Sequence, residues 1–393
     1  MGSGFCHGRV NPETGNNTRL EDFVGTLTKC IDRAIAEPVD LVLFGGDAFP
    51  DSTPAPYIHE LFATQFRRLA DANIPAVLLV GNHDQHSHGS GGASLCIYRT
   101  LAVPGFVVGD SPKIHLINTT SGPVQVFTLP WLSHSSLFTR SETEGFSLAQ
   151  VNELLLEKLQ PVLNGEIRSL DPDIPTVLLG HLMADRAKFG SERFLAVGKG
   201  FTIPVSFLIR PEFDYVALGH VHKHQNLNPS NKPPVVYAGS IERVDFSEEK
   251  EEKGFILLEL AKGKAEWEFC PLPVRAFRTI EVDVSEEEEP EKAILAAIQK
   301  KNIDGAVVRL IYKIRSEQLD LVNDSSLNAA LAQAHTYTIR PQLISQLARP
   351  RLPELGVGES LDPLKALKTY LENREDLRDI APDMLVAAER LIS

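Results

Sequence analysis

The chain has 393 residues, of which 43% are hydrophobic and 23% charged, and a formal net charge of −13. That length carries a large core and two or three domains, in the composition range of ordinary soluble proteins. Its acidity argues against a standalone protein that grips nucleic acid tightly through phosphates alone. It leaves open an enzyme whose bound metals, or whose partner, supply the positive charge.

Part of the acidic excess is local, in Glu248-Glu249-Lys250-Glu251-Glu252 and Glu286-Glu287-Glu288-Glu289, both read as solvated surface. No apolar run approaches the roughly 20 residues that span a bilayer. A basic region followed by an apolar block is missing at the N-terminus, so no signal peptide is expected. Cys6, Cys30, Cys96 and Cys270 lie far apart with no CxxC pair. They point to a reducing cytoplasm and away from a disulfide framework or a thiolate zinc site.

Residues 1–17, rich in Gly and Asn, read as loop. Thr18-Arg19-Leu20-Glu21 reads as a capping box that opens a helix, with Leu20, Phe23, Val24, Leu27 and Ile31 at helical spacing. A strand, Val39–Phe44, then ends in Gly45-Gly46-Asp47. A helix over roughly 56–72 places Tyr57, Ile58, Leu61, Phe62, Phe66 and Leu69 on one side. The apolar run Ile74–Val80 reads as a strand buried on both faces and leads into Gly81-Asn82-His83-Asp84. This is a β-α-β unit with polar residues at both strand ends.

His86, His88 and Gly89–Gly92 read as a loop. Val124–Leu129 is a strand that ends near Trp131, and residues 148–163 form a helix. Ile174–Leu179 runs into Gly180-His181, and Tyr215–Leu218 runs into Gly219-His220-Val221-His222. Pro233–Tyr237, Gly254–Leu260 and a strand around Trp267 close a first domain near residue 272. A small α+β unit follows, with strands Phe277–Val284 and Gly305–Ile314 around a helix from Glu289 to Lys301. Residues 340–362 read as a linker. The tail from Pro363 reads as helical, suited either to docking on a partner or to packing on its own domain.

Four strands thus end in groups that bind metals: Asp47; Asn82 with His83 and Asp84; His181; and His220 with His222. Any one of these could be a polar turn capping its strand. Four together are hard to explain that way, and ligands collect at strand ends in open α/β sheets. Carboxylate, amide and imidazole together suit Mn, Fe or Zn. Two such ions about 3.5–4 Å apart polarise a phosphate and activate water. In that arrangement Asp47 can bridge the ions, and His83 can protonate the leaving oxygen.

Gly-Gly-Asp, Gly-Asn-His-Asp, Gly-His and Gly-His-Val-His, in this order, resemble the calcineurin-like metallophosphoesterases. Three further features narrow the resemblance to SbcD-type nuclease subunits of the bacterial SbcCD DNA-repair complex. They are Phe49 after Asp47, Pro130-Trp131, and the stretch from Tyr237 to Phe246 (YAGSIERVDF). The likeness covers roughly residues 1–315.

It implies an α/β sandwich of mixed sheets flanked by helices, a small capping domain and a helical tail. The domain bounds it implies are 1–272, 273–339 and 340–393. It also implies two manganese ions, with Asp47 bridging them, Asn82, His181 and His220 completing one shell, and His222 in the other. His83, oriented by Asp84, would be the catalytic histidine. DNA ends or hairpins would be the substrate and an SbcC-type coiled-coil ATPase the partner of the tail. The helix near 56–72 would help form a homodimer within a heterotetramer.

The family begins with an apolar strand ending in Asp-x-His, which supplies two ligands of the second metal. Here Met1-Gly2-Ser3-Gly4 resembles the loop after that motif, and His7 reads as loop. A late start or a truncation is the expected reason, leaving the second metal short of ligands. Two other readings remain open: a phosphodiesterase for small nucleotides or phosphoproteins, and a catalytically impaired scaffold.

Overall fold

The computed structural model describes residues 7–85, 93–133, 143–190 and 201–344, together with 364, 367, 368, 371 and 381–392. Two compact units emerge. The first holds Met1–Thr279, Ile303–Val308 and Gln333–Tyr337, and the second holds Ile280–Asn302, Arg309–Ala332 and Thr338–Ser393.

The first unit opens with α1 (Thr18–Ala36), whose N-cap is Asn17 and not a Thr18 box. Asn17 Oδ1 accepts from Arg19 N–H at 2.8 Å. Thr18 Oγ1 is instead engaged by Arg9 N–H at 3.0 Å and by the His335 ring at 2.8 Å. Glu21 accepts from Asn11 and Thr14 and so is not available to complete the box. Tertiary partners override the local cap preference.

Strand β1 (Val42–Phe44), helix α2 (Pro56–Asp71) and strand β2 (Ala76–Leu79) make the expected β-α-β unit, with Val42 in register with Ala76. Helix α3 (Cys96–Leu101) and strand β3 (Phe106–Gly109), not foreseen from the sequence, complete a three-stranded sheet in the order β1-β2-β3. Strand β2 is buried on both faces because it separates two cores. Ala76, Leu78 and Val80 meet the helices through Phe62, Phe66 and Leu69. Val77 and Leu79 point the other way, towards Val126 and Leu179 of a second sheet, with the period of two that a strand imposes.

That second sheet is built from β4 (Lys113–Thr119), β5 (Gly122–Leu129), β6 (Thr176–His181), β9 (Tyr215–Gly219), β10 (Gln225–Asn226) and β11 (Val235–Tyr237). The order is β10-β11-β9-β6-β5-β4, parallel through β11, β9, β6 and β5. Between them, β7 (Met183–Ala184) pairs with β8 (Thr202–Ile203). Helix α4 (Leu148–Ile167), capped by a Ser147–Gln150 box, lays Leu159 and Leu163 on the outer face of this sheet. A hairpin of β12 (Gly254–Ala261) and β13 (Lys264–Pro271) adds Ile256, Leu258 and Trp267 to a core with Val177, Tyr215 and Val236. Helices, sheet, sheet and helix form the layers of the anticipated sandwich.

One gap runs through this packing. Among the described residues, β1 pairs only with β2 and β12 only with β13. A cleft of about 1090 Å³ lies along both strands, lined by Phe23, Leu27, Leu43, Leu179, Ala217 and Ile256, and it reaches Asp47 and His222.

The second unit contains the greater part of β14 (Phe277–Asp283), β15 (Val307–Arg315) and β16 (Thr336–Ile344), a sheet in that order. Its helix Pro290–Gln299 buries Ile294 and Ile298. Strand β16 runs into the stretch expected as linker, which from residue 345 lies outside the described residues, as do His86 and His88. In the tail, Ala381–Ile392 is helical. No helix among the described residues is long and apolar enough to cross a membrane, and Cys30, Cys96 and Cys270 are free thiols.

Candidate metal centre

The parallel strands β1, β2, β6 and β9 deliver their C-terminal ends to one place, so each tight turn after a strand can aim a side chain inward. Asp47 and His220 adopt left-handed backbone, at φ 56° and 92°. Non-glycine residues rarely hold that conformation, and it concentrates at functional sites. Glycines let the turns approach. Gly46 is at φ 96°, and a Cβ on Gly81 would meet the Asp47 carboxylate, as one on Gly219 would meet Gly45 O. Gly219→Ala is therefore expected to cost about 1–3 kcal/mol of stability, as overpacking does, and to lower metal affinity. A denaturant melt beside a metal titration checks both.

The Asp84 carboxylate stitches two of the turns together. Its Oδ2 accepts from the backbone N–H of Asp47 and of Gly81, each at 2.9 Å. His83 N–H in turn donates to Asp47 Oδ1 at 2.9 Å. The expected pairing of His83 with Asp84 is replaced by another: His83 Nδ1 donates to Pro50 O at 2.9 Å. A carboxylate whose oxygen is already taken by two main-chain N–H groups orients the loop, and a carbonyl orients the ring. Burial, then the charge of Asp47, push Asp84 up to about 7.

Four donor atoms converge. His181 Nδ1 donates to Gly45 O at 2.6 Å, which leaves Nε2 as the lone-pair nitrogen of the neutral ring. That Nε2 lies 3.0 Å from Asn82 Oδ1 and 3.3 Å from Asp47 Oδ2. His220 Nδ1 lies 2.8 Å from the same Asn82 oxygen. Asp47, His181 and His220 are the cluster that could hold a metal ion among the described residues. Lone pairs facing one another across about 3 Å are repulsive unless a proton or a cation lies between them. That spacing is the edge of a coordination shell with ligands at roughly 2.1 Å.

The electrostatics agree. Burial opposes charge on both Asp47 and His181, yet their mutual attraction wins, lowering the carboxyl and raising the imidazole. The proton held between them is a stand-in for a cation. Burial, then the charge of His181, push His220 down to about 3, so its ring is neutral and its lone pair available. The ring of Trp131, 4.7 Å from that of His220, closes one side. The donor set fits a divalent ion.

His222 lines the same cleft but is not in that cluster. Its Nδ1 lies 2.7 Å from Glu248 Oε1. His7 packs edge-on against Phe246 and Phe277, with ring centroids 5.1 and 5.6 Å away, which agrees with its reading as loop. Sequence reasoning missed Pro50 and Glu248. The first acts through its carbonyl, which no side-chain pattern shows, and the second was masked by its acidic neighbours.

Residues 7–224 match the calcineurin-like phosphoesterase family. The chain belongs to that family. It is 30% identical over 269 residues to SbcD, the nuclease component of the SbcCD complex, of Staphylococcus epidermidis (strain ATCC 12228 / FDA PCI 1200), covering 67% of each chain. A solved structure, the phosphopantetheinyl hydrolase of Mycobacterium tuberculosis, aligns at 13% identity and a TM-score of 0.29, over 51% of this chain and 78% of that one. Membership makes the chain a phosphoesterase, and the converging donors are where this family's divalent metals find ligands.

Proposed function

We propose that this phosphoesterase is a manganese-dependent nuclease of the SbcD type, hydrolysing phosphodiester bonds at DNA ends or hairpins. The observation that supports it is the convergence of Asp47, Asn82, His181 and His220 from four strand ends, in a chain related to a nuclease subunit. These four would hold one ion, and His222 would belong to a second that Asp47 shares. Bound divalent ions would polarise the phosphate and activate water for in-line attack.

The chain's own residues do the rest. His83, anchored through Nδ1 to Pro50 O, uses Nε2 to pass a proton to the leaving oxygen. Asp84 holds together the turns from which Asp47 and His83 project. Residues 273–339 cap the substrate. The 340–393 tail holds a coiled-coil ATPase of the SbcC type, and the 56–72 helix contributes to a homodimer.

The test compares cleavage of linear duplex DNA with turnover of cyclic nucleotides and phosphopeptides, in this chain and in one extended upstream by an apolar strand. Duplex cleavage that needs Mn²⁺ and falls about 10²–10⁴-fold in His83→Ala, with metal affinity kept, is the expected result. Turnover confined to small nucleotides or phosphopeptides would move the assignment to a phosphodiesterase of those substrates. DNA binding without cleavage in either form would leave a scaffold.

A further inference from the structure

The acidic run Glu248–Glu252 reads from sequence as solvated surface, and its first member is not. Glu248 is 1% exposed, as is Lys253 five residues on. Glu248 Oε1 lies 2.7 Å from His222 Nδ1, while Oε2 lies 2.8 Å from Lys253 Nζ and accepts Val244 N–H at 3.0 Å. Lys253 Nζ also donates to the main-chain oxygen of His222 at 3.0 Å and to Glu251 at 2.9 Å. One buried ion pair therefore grips His222 twice, by its ring and by its backbone. Removing two charges from water is costly, and one partner without the other is costlier still, so both must be present for the site to keep its shape.

We propose that Glu248, braced by Lys253, is a positioning residue for His222: it keeps the proton on Nδ1, so that Nε2 carries the lone pair a cation in the cleft requires. Carboxylates that orient metal-binding histidines in this way tune affinity although they never touch the ion. Burial alone would raise the Glu248 carboxyl; the bond and charge of His222, with Lys253, outweigh it and bring the group to about 2. The carboxylate is thus a committed acceptor. The proposal rests on the reading of His222 as a metal ligand.

Four variants of the full chain test it: Glu248→Gln, Glu248→Ala, Glu248→Asp and His222→Ala. The readouts are the His222 tautomer by long-range ¹H–¹⁵N NMR without metal, Mn²⁺ affinity by titration through the second equivalent, and the melting midpoint in chelator. In the unaltered chain His222 is expected to carry its proton on Nδ1. Glu248→Gln, whose amide oxygen accepts the same N–H, should keep that tautomer and most of the affinity. Glu248→Ala should mix the tautomers and weaken the second equivalent about 10–100-fold. If the alanine variant does not fold, Glu248→Asp, which withdraws the oxygen by one methylene, gives the same two readouts.

A fixed tautomer and unchanged affinity in Glu248→Ala, beside weakened affinity in His222→Ala, would overturn the positioning role and leave the ligand reading standing. Unchanged affinity in His222→Ala would remove both. A lower melting midpoint with tautomer and affinity intact would make Glu248 structural only and overturn the proposal.

Discussion

Replacing Asp47 by asparagine is expected to abolish metal-dependent phosphoester hydrolysis while leaving the metal-free protein folded. The carboxylate has two tasks that the substitution separates. Its Oδ1 accepts His83 N–H at 2.9 Å, a bond that an amide oxygen can keep. Its Oδ2 supplies charge beside His181 Nε2, 3.3 Å away, and that charge an amide cannot supply. Metal affinity should fall by more than the roughly 10–100-fold typical of losing an indirect partner, and turnover by at least about 10²–10³-fold.

Stability separates the two tasks a second time. An ion present at about 100 times its dissociation constant stabilises the native state by about 2.7 kcal/mol, a shift of several degrees in melting temperature. The unaltered chain should show that shift with Mn²⁺, and Asp47→Asn should not. In chelator, Asp47→Asn should melt at or above the unaltered chain, because a buried carboxylate has become a neutral amide. Calorimetry with and without Mn²⁺ checks this. A full metal-induced shift in Asp47→Asn would show that the ion binds elsewhere.

The parts of this site legible in the sequence were those that a strand makes visible. A buried parallel strand must be apolar along its length, so a polar residue at its end stands out; Asp47, Asn82, His181 and His220 were all found by that contrast. The parts not legible depend on contacts between distant segments. Nothing near Asp84 in sequence says that its carboxylate holds the N–H of Asp47 instead of the ring of His83. Glu248 looked like one charge among several because burial is decided by what packs over it, here His222 and Lys253. The N-cap moved from Thr18 to Asn17 for the same reason, as Arg9 and His335 claim the threonine hydroxyl. At fold level the β-α-β unit and the sandwich followed from periodicity. Strand β3, four residues long, and the largely exposed β16 carry too little pattern to stand out.

The second large effect concerns the cleft between β1 and β12. Each strand is hydrogen-bonded on one side only among the described residues, and the walls are the apolar faces of α1, β6, β9 and β12. An extended segment could pair with both edges and be buried on both faces, as a continuous apolar run requires. About seven residues span roughly 23 Å, enough to bring the segment's last residues to the metal centre. In the family this chain resembles, an N-terminal strand of that kind ends in Asp-x-His.

Extending the chain upstream by such a strand is expected to raise tightly held Mn²⁺ from one ion to two, counted by native mass spectrometry, and to raise the melting temperature in chelator as the cleft fills. An extension with alternate apolar residues replaced by lysine should do neither, because one face of the strand would then place charges against Leu179 and Ala217. Ending the apolar strand in Ala-x-Ala should raise the melting temperature without the second ion, separating filling of the cleft from ligation. Two tightly held ions in the chain without any extension would refute this account, since His222 and Asp47 would then suffice for the second site.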